Sequence, residues 1–241
     1  ETIPVDGVLI EGQSSIDEDE CAIMSHAIEA EAQQGRASPI DSSTVSHGGC
    51  ILLSNDVKAG LDWKYSRSLE TPEGIRNWEI HEIVIPTDDV WLVIGNTGCY
   101  SSTSELVSQV ADLIKAEPQK MKVIETIGAI TRRGVSALIK GDMEKVGRCM
   151  TENHLLLRNL GVSSPELENL VRAAAHSSLG VKLTGAGGGG CMIALTRKPK
   201  ETSEAIELAG GYSFKTSLNA IGVRLDSDQD APFWTPGVAD S

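Results

Sequence analysis

Hydrophobic positions recur along the chain in two rhythms. Apolar residues that return every three or four positions predict helices at 17–33, several helices between 106 and 175, and a helix at 201–209. Continuous or alternating apolar runs predict strands at 4–10, 50–54, 80–86, 90–95, 179–183, 191–195 and within 214–225. Residues 55–80 contain glycines and a proline and are interpreted as turns and irregular chain. Strands, then a helical block, then strands and a helix predict an α+β fold.

The densest sequence signal is the stretch Lys182–Cys191, in which five of ten residues are glycine. Because apolar runs flank it on both sides, it predicts a tight loop between two strands of the core rather than a linker. Glycines let backbone N–H groups converge on a ligand, and converging amides bind phosphate. A tight hairpin turn without a ligand explains the same residues about equally well.

A second candidate for chemistry is Asp41, which lies in a loop of small residues between Gly35 and Thr44. The carboxylate is either a general base or, more commonly for Asp before Ser and Thr, a helix N-cap. Glu29 and Glu31 come near the C-terminal end of the preceding predicted helix, where the helix dipole favours a cation beside a carboxylate. Solvated surface charge is the simpler interpretation of both.

Hydroxyl residues follow a buried strand at 101–104, after the turn Asn96-Thr97-Gly98. They predict either a substrate or anion site at a helix start or simple capping by Ser102 or Thr103. The sequence at 163–166 predicts a capping box that opens another helix. His154, inside the third helical stripe, is interpreted as a packed surface residue.

Composition narrows the classes of protein. The chain has 241 residues and a net charge of −13, which disfavours nucleic acid or an anionic membrane as a partner. Its five cysteines are dispersed without a paired motif and predict free thiols in a reducing compartment. No apolar run approaches the roughly 18–20 residues of a membrane span, and a cytoplasmic location is expected.

Two of these motifs together resemble a known family. The stretch Lys182–Cys191 resembles the third signature motif of the GHMP kinases, in the form found in mevalonate kinases, and the loop 35–41 resembles the loop that carries their catalytic aspartate. The resemblance covers roughly residues 17–225, in the order of the archaeal-type members. It implies a two-lobed fold, with an incomplete ribosomal S5-like lobe at 1–90 that carries the aspartate loop and a ferredoxin-like lobe at 91–241 that carries the glycine motif.

The resemblance also implies an activity, namely phosphoryl transfer from Mg²⁺·ATP to the C5 hydroxyl of mevalonate. Asp41 would orient or deprotonate that hydroxyl, and Thr103 would lie near the transferred phosphate. Glu29 matches the magnesium ligand of the family, with Glu31 as the alternative because the segment before Gly35 is one residue longer. The resemblance also implies that Thr184 and Lys182 lie in the vicinity of substrate and phosphate. The residues of the phosphate-side loop are Gly185, Ala186, Gly187, Gly188, Gly189 and Gly190.

The sequence departs from the family at its beginning. The N-terminal Pro-Gly-Lys segment that ends in Gly-Glu-His and the Gly-Leu-Gly-Ser-Ser-Ala phosphate loop are both absent. The chain is therefore expected to be the C-terminal two-thirds of a kinase, with little or no activity by itself. Another small alcohol as substrate (phosphomevalonate, homoserine or a sugar), a non-catalytic binding module and a homodimer remain open.

Overall fold

The computed structural model describes residues 17–32, 35, 37–71, 74–86 and 89–223, with only the backbone of Ser104. The strand predicted at 4–10 and the apolar segment at 232–234 lie outside these residues. The described residues divide into two compact units, one formed by those up to residue 82 together with 221–223 and the other by those within 83–220.

The first unit combines two helices with a three-stranded antiparallel sheet. Its elements are α1 (Glu18–Ala32), α2 (Ile40–His47), β1 (Ile51–Ser54), β2 (Asp62–Thr71) and β3 (Gly74–Glu82), and the strand order is β1-β3-β2. The sheet packs on α1 through Ala22, Tyr65 and Ile80, which are buried. Later in the chain, Ile221 pairs with Gly48 in an isolated antiparallel bridge.

Two predictions here are wrong in part. Residues 55–61 are outside strands, as predicted, but the rest of the segment predicted as turns and irregular chain contains β2 and most of β3, which pair over nine positions from Asp62↔Glu82 to Thr71↔Gly74. The burial of β2 alternates, but its more buried face includes polar residues such as Arg67 and Thr71, so the hydrophobic alternation that marks a half-buried strand is interrupted. The strand predicted at 80–86 ends at Glu82, and residues 83–86 are not in a strand.

The second unit is a four-stranded antiparallel sheet with five helices, counted over the described residues. Its strands lie in the order β5-β6-β4-β7. The elements are β4 (Trp91–Asn96), α3 (Thr103–Ala116), a 3₁₀ turn (Pro118–Lys120), α4 (Met121–Ile139), α5 (Met143–Asn159), α6 (Pro165–Ala175), β5 (Gly180–Leu183), β6 (Cys191–Thr196), α7 (Pro199–Leu208) and β7 (Tyr212–Ser217).

The core of this unit lies between the sheet and α6 and α7. From α6 it receives four buried residues with helical spacing, Leu167, Leu170, Val171 and Ala174, which face buried sheet residues such as Val93, Leu183 and Met192. On the other side α5 crosses β5 very closely, because a Cβ on Gly147 would lie 2.2 Å from the Leu179 carbonyl oxygen. Only a helix residue without a side chain permits this approach.

Several helix boundaries follow the predicted signals. The N–H of Gly35, at φ 78°, donates to the Ala30 carbonyl (2.7 Å) and ends α1. Ser102 caps α3 and Ser164 caps α6, each accepting a backbone N–H three residues on. All five cysteines are free, as predicted. Within the described ranges no helix has both the length and the hydropathy of a membrane span.

Candidate functional site

The glycine loop, residues 184–191, joins the antiparallel strands β5 and β6. The N–H of Thr184 donates to the Cys191 carbonyl (3.0 Å) and closes the base of the loop. Gly187 has φ 94°, and a Cβ there would lie 1.9 Å from the carbonyl oxygen of Val162. The position therefore requires glycine for two reasons, its left-handed backbone and its contact with neighbouring backbone.

Long-range hydrogen bonds fasten the loop at two further places. The N–H of Gly188 donates to the Val162 carbonyl (2.8 Å). At the other end, Thr97 donates its N–H to the Gly190 carbonyl (2.9 Å), and Gly190 donates its own N–H to the Cys99 carbonyl (2.9 Å). The loop conformation is thus set by the turn after β4 and by the turn between α5 and α6.

A cleft of about 520 Å³ opens beside this loop. It is lined by loop residues, by residues of the turn 96–101 and by Thr103. Four residues that line the cleft, Gly185, Ala186, Gly187 and Gly189, have backbone N–H groups that donate to no acceptor among the described residues. Converging free N–H groups suit an anion such as phosphate.

The first turn of α3 contributes to the same cleft. Ser102 is the N-cap, because its hydroxyl accepts from the N–H of Glu105 (3.4 Å). Thr103 is the first helical residue, with an exposed side chain, so its hydroxyl is not used as the cap. The partial positive charge of a helix N-terminus adds to the attraction of the loop for an anion.

A buried polar group that sequence reasoning missed supports the loop from behind. His154 was predicted at the surface, but it is 3% exposed, and this prediction is wrong. The N–H of Leu183 donates to its Nδ1 (3.3 Å), so the ring proton lies on Nε2, 3.0 Å from Glu168 Oε1. The spacing of α5 places His154 on its buried face, and the helical stripe of apolar residues around it was the available signal.

Glu168 connects this histidine to the turn that holds the loop. Its carboxylate accepts from the Ser163 hydroxyl (2.6 Å) and pairs with Arg158 (3.3 Å). Burial raises the pKa of Glu168, but Ser163, His154 and Arg158 together outweigh it and hold the pKa below its usual range. For His154 burial dominates and lowers the pKa, so a neutral ring faces a carboxylate. Through Ser163, Glu168 holds the residue next to Val162, whose carbonyl accepts from Gly188.

Lys182 and Thr184 occupy different positions relative to the loop. Thr184 lines the cleft. Lys182, two residues earlier on β5, lines a separate cavity among α4, α5 and β5, and Thr184 and Gly185 border both spaces. Burial lowers the pKa of the Lys182 ammonium.

In the first unit, Asp41 lies in the first turn of α2. The N-cap position is Pro39, without a side-chain cap bond, so the N-cap interpretation of Asp41 is wrong. Instead, the hydroxyls of Ser42 and Ser43 donate to the Pro39 carbonyl and tie the helix start together. The Asp41 carboxylate is exposed, with the positive end of the helix dipole beside it.

Two buried residues fix the loop before Asp41, and the sequence pattern did not reveal them. His26, fully buried on α1, accepts from Arg67 Nε at Nδ1 (3.0 Å), so its Nε2–H donates to the Ala37 carbonyl (3.3 Å). Burial lowers the pKa of His26 more strongly than the Ala37 carbonyl raises it. The hydroxyl of Tyr65 bonds that of Ser43 (2.8 Å) and holds α2 on the sheet.

The acidic residues of α1 do not form a preassembled metal cage. Glu29 is partly buried and Glu31 is exposed. Elsewhere on α1, Glu18 and Asp19 lie 3.3 and 3.2 Å from the two ring nitrogens of His47. No group of three or more potential ligands occurs among the described residues. Since Mg²⁺ at phosphate sites is commonly held by one or two carboxylates together with the phosphates, a single carboxylate remains compatible with it.

Comparison with known proteins identifies related chains. Residues 135–212 match the family described as GHMP kinases C terminal. The mevalonate kinase of Pyrococcus abyssi is 33% identical over 219 residues, which cover 88% of this chain and 58% of that protein. This chain therefore spans little more than half the length of that relative.

Solved structures give the same result for the fold. The mevalonate kinase of L. major in complex with R-mevalonate has a TM-score of 0.66 and 24% identity, and the match covers 83% of this chain and 58% of that one. The Methanococcus jannaschii mevalonate kinase has a TM-score of 0.56 and 26% identity over 83% of this chain and 56% of that one. These likenesses confirm the predicted α+β fold of the GHMP kinase type.

Proposed function

Because residues 135–212 carry the C-terminal domain of the GHMP kinases, we propose that the protein containing this chain transfers a phosphoryl group from Mg²⁺·ATP to the C5 hydroxyl of mevalonate. The observation that carries the substrate is the 33% identity to a mevalonate kinase over 219 residues. The cleft beside the glycine loop, with four uncommitted amides, supports the nucleotide.

The proposed roles of the individual residues are as follows. Asp41, exposed in the first turn of α2, accepts or orients the proton of the attacking hydroxyl. The amides at 185–187 and 189 hold phosphate oxygens, and the Thr103 and Thr184 hydroxyls line the same cleft. Glu29 is assigned to the magnesium ion. Bound Mg²⁺·ATP supplies the phosphoryl group and neutralises part of its charge.

This set of residues suits the reaction. Phosphoryl transfer requires little covalent chemistry from the protein, because positioning and stabilisation of charge account for most of the rate. Fixed amides cost no reorganisation when charge develops on the phosphate. The rigid support of the loop by Val162, Thr97 and Cys99 keeps those amides in place.

The decisive experiment is a coupled assay for ADP release with a panel of alcohols, namely mevalonate, phosphomevalonate, homoserine and galactose. The proteins are this chain and the longest reading frame that contains it. We expect turnover with mevalonate in the longer protein. Turnover with another alcohol and none with mevalonate would refute the substrate assignment.

The role of Asp41 is tested in the same assay. Asp41→Asn should lower kcat by about 10²–10⁴-fold, the usual contribution of a general base, while the fold is retained. Asp56→Asn is the matched control, since Asp56 is an exposed carboxylate of the same unit that pairs only with Lys58 among the described residues. An unchanged kcat in Asp41→Asn would exclude its role.

Calorimetry with Mg²⁺·ATP distinguishes a kinase from a non-catalytic module, because the module would show no affinity for the nucleotide.

A further inference from the structure

A second cavity of about 490 Å³ lies among α4, α5 and β5, apart from the glycine-loop cleft. Its walls are mostly aliphatic and come from both helices, for example from Ile127, Leu138, Val146 and Met150. The size is within the range of about 300–1,000 Å³ that is usual for small-molecule sites. Thr184 and Gly185 border both spaces, but the aliphatic walls that α4 and α5 supply have no assigned role in phosphoryl transfer.

One cation lines this apolar space. Along β5, Val181 and Leu183 point into the core, so Lys182 lies on the opposite face of the strand and lines the cavity. Among the described residues its ammonium group has no carboxylate or hydrogen-bond partner, and burial alone accounts for its lowered pKa. A desolvated cation without a counter-charge is costly and gains most from an anionic ligand.

Asn153 on α5 also lines the cavity, and the residue is buried. Its Oδ1 has no hydrogen-bond partner in the described part of the chain, but this atom is itself shielded and does not open onto the cavity. The cavity therefore combines an apolar wall with one cation.

We propose that this cavity binds an aliphatic anion, a carboxylate or phosphate monoester whose headgroup pairs with Lys182 and whose chain lies against α4 and α5. The aliphatic chain distinguishes this ligand from a nucleotide, which has no apolar tail to place against isoleucine and leucine side chains.

The test uses isothermal titration of the 241-residue chain with three probes kept below their micelle-forming concentrations. The probes are decanoate, decyl phosphate and 1-decanol. We expect the anions to bind with one-to-one stoichiometry and decanol to bind at least about tenfold more weakly, because decanol has no charge to pair with Lys182. The tighter of decanoate and decyl phosphate identifies the headgroup. Equal affinity for decanol, or no binding of any anion, overturns the proposal.

Variants locate the site. Lys182→Met should weaken decanoate about tenfold or more and leave decanol unchanged. Gly134→Leu projects a side chain from α4 into the cavity, and its Cβ meets no atom closer than 3.8 Å, so it should abolish binding without a backbone clash. Gly128→Leu is the matched control, on the same helix but outside the cavity lining. Equal binding by the two leucine variants places the probe elsewhere and refutes the site.

A measurement on the unmodified chain removes dependence on variant folding. The chain has five methionines, and Met150 lines the cavity. With ¹³C-labelled methyl groups, decanoate should shift the Met150 signal and leave those of the exposed Met24 and Met121 unchanged. Binding without a shift at Met150 contradicts the proposal.

Discussion

Replacing Gly187 by alanine tests whether backbone contacts shape the phosphate loop. The new Cβ would lie 1.9 Å from the Val162 carbonyl oxygen, so the loop must move away from its anchor. That movement breaks the 2.8 Å hydrogen bond from Gly188 to the same oxygen, a loss of about 1 kcal/mol. The positive φ adds about 1–2 kcal/mol of strain. We therefore expect Gly187→Ala to lower the free energy of unfolding by about 2–3 kcal/mol.

Gly185→Ala separates the two effects. Gly185 belongs to the same loop and has φ 72°, but a Cβ there meets no atom within 4 Å, so only the backbone strain remains. Gly210→Ala, with φ 88° and equally open surroundings at the end of α7, repeats the strain outside the loop. Urea denaturation gives the three free energies, and calorimetry with Mg²⁺·ATP gives the affinities. If Gly187→Ala and Gly185→Ala lose the same stability and the same affinity, contact with Val162 does not shape the loop.

Three further predictions concern the supporting structure. Gly147→Ala should destabilise the chain by about 3 kcal/mol or more in urea titrations, because the new Cβ would overlap the backbone at Leu179 and Gly180. Gly128→Ala is the control, and it should be neutral or stabilising by up to about 1 kcal/mol because alanine has the higher helix propensity. Burial lowers the pKa values of His26 and His154, so below pH 6.5 the unfolded chain binds protons that the folded chain does not. As the pH falls through this range, the free energy of unfolding should decrease by up to about 1.4 kcal/mol per pH unit for each histidine. A flat profile between pH 7 and 5.5 would contradict this. Glu168→Gln should cost about 1–3 kcal/mol and weaken Mg²⁺·ATP, and normal affinity would show that this carboxylate does not position the loop.

What the sequence could predict depended on whether a signal was local. The glycine stretch predicted its own loop because the flanking apolar runs mark strands and glycine marks the turn, and both signals lie within a few residues. The caps Ser102 and Ser164 were equally local. The β2–β3 hairpin was missed because polar residues such as Arg67 and Thr71 occupy its more buried face and interrupt the hydrophobic period.

The supporting polar groups required tertiary information. The apolar stripe of α5 is a local signal that His154 is buried, but its partners Glu168 and Leu183 lie on other elements and no local pattern indicates them. His26 hydrogen-bonds to Ala37 and to Arg67, and Arg67 lies 41 positions after His26 in the sequence. Pairings at such separations depend on the completed fold, and sequence periodicity does not contain them.

The fastening of the glycine loop also determines when it can form. Thr97 and Gly190, whose groups bond at the end of the loop, are 93 positions apart in sequence. Because closing so long a segment carries an entropic cost, we expect the loop to become ordered only after β4 and β6 have paired. Affinity for phosphate should therefore appear late in refolding, together with the last tertiary contacts. A nucleotide that binds this loop acts on the native state alone and shifts the folding equilibrium toward it.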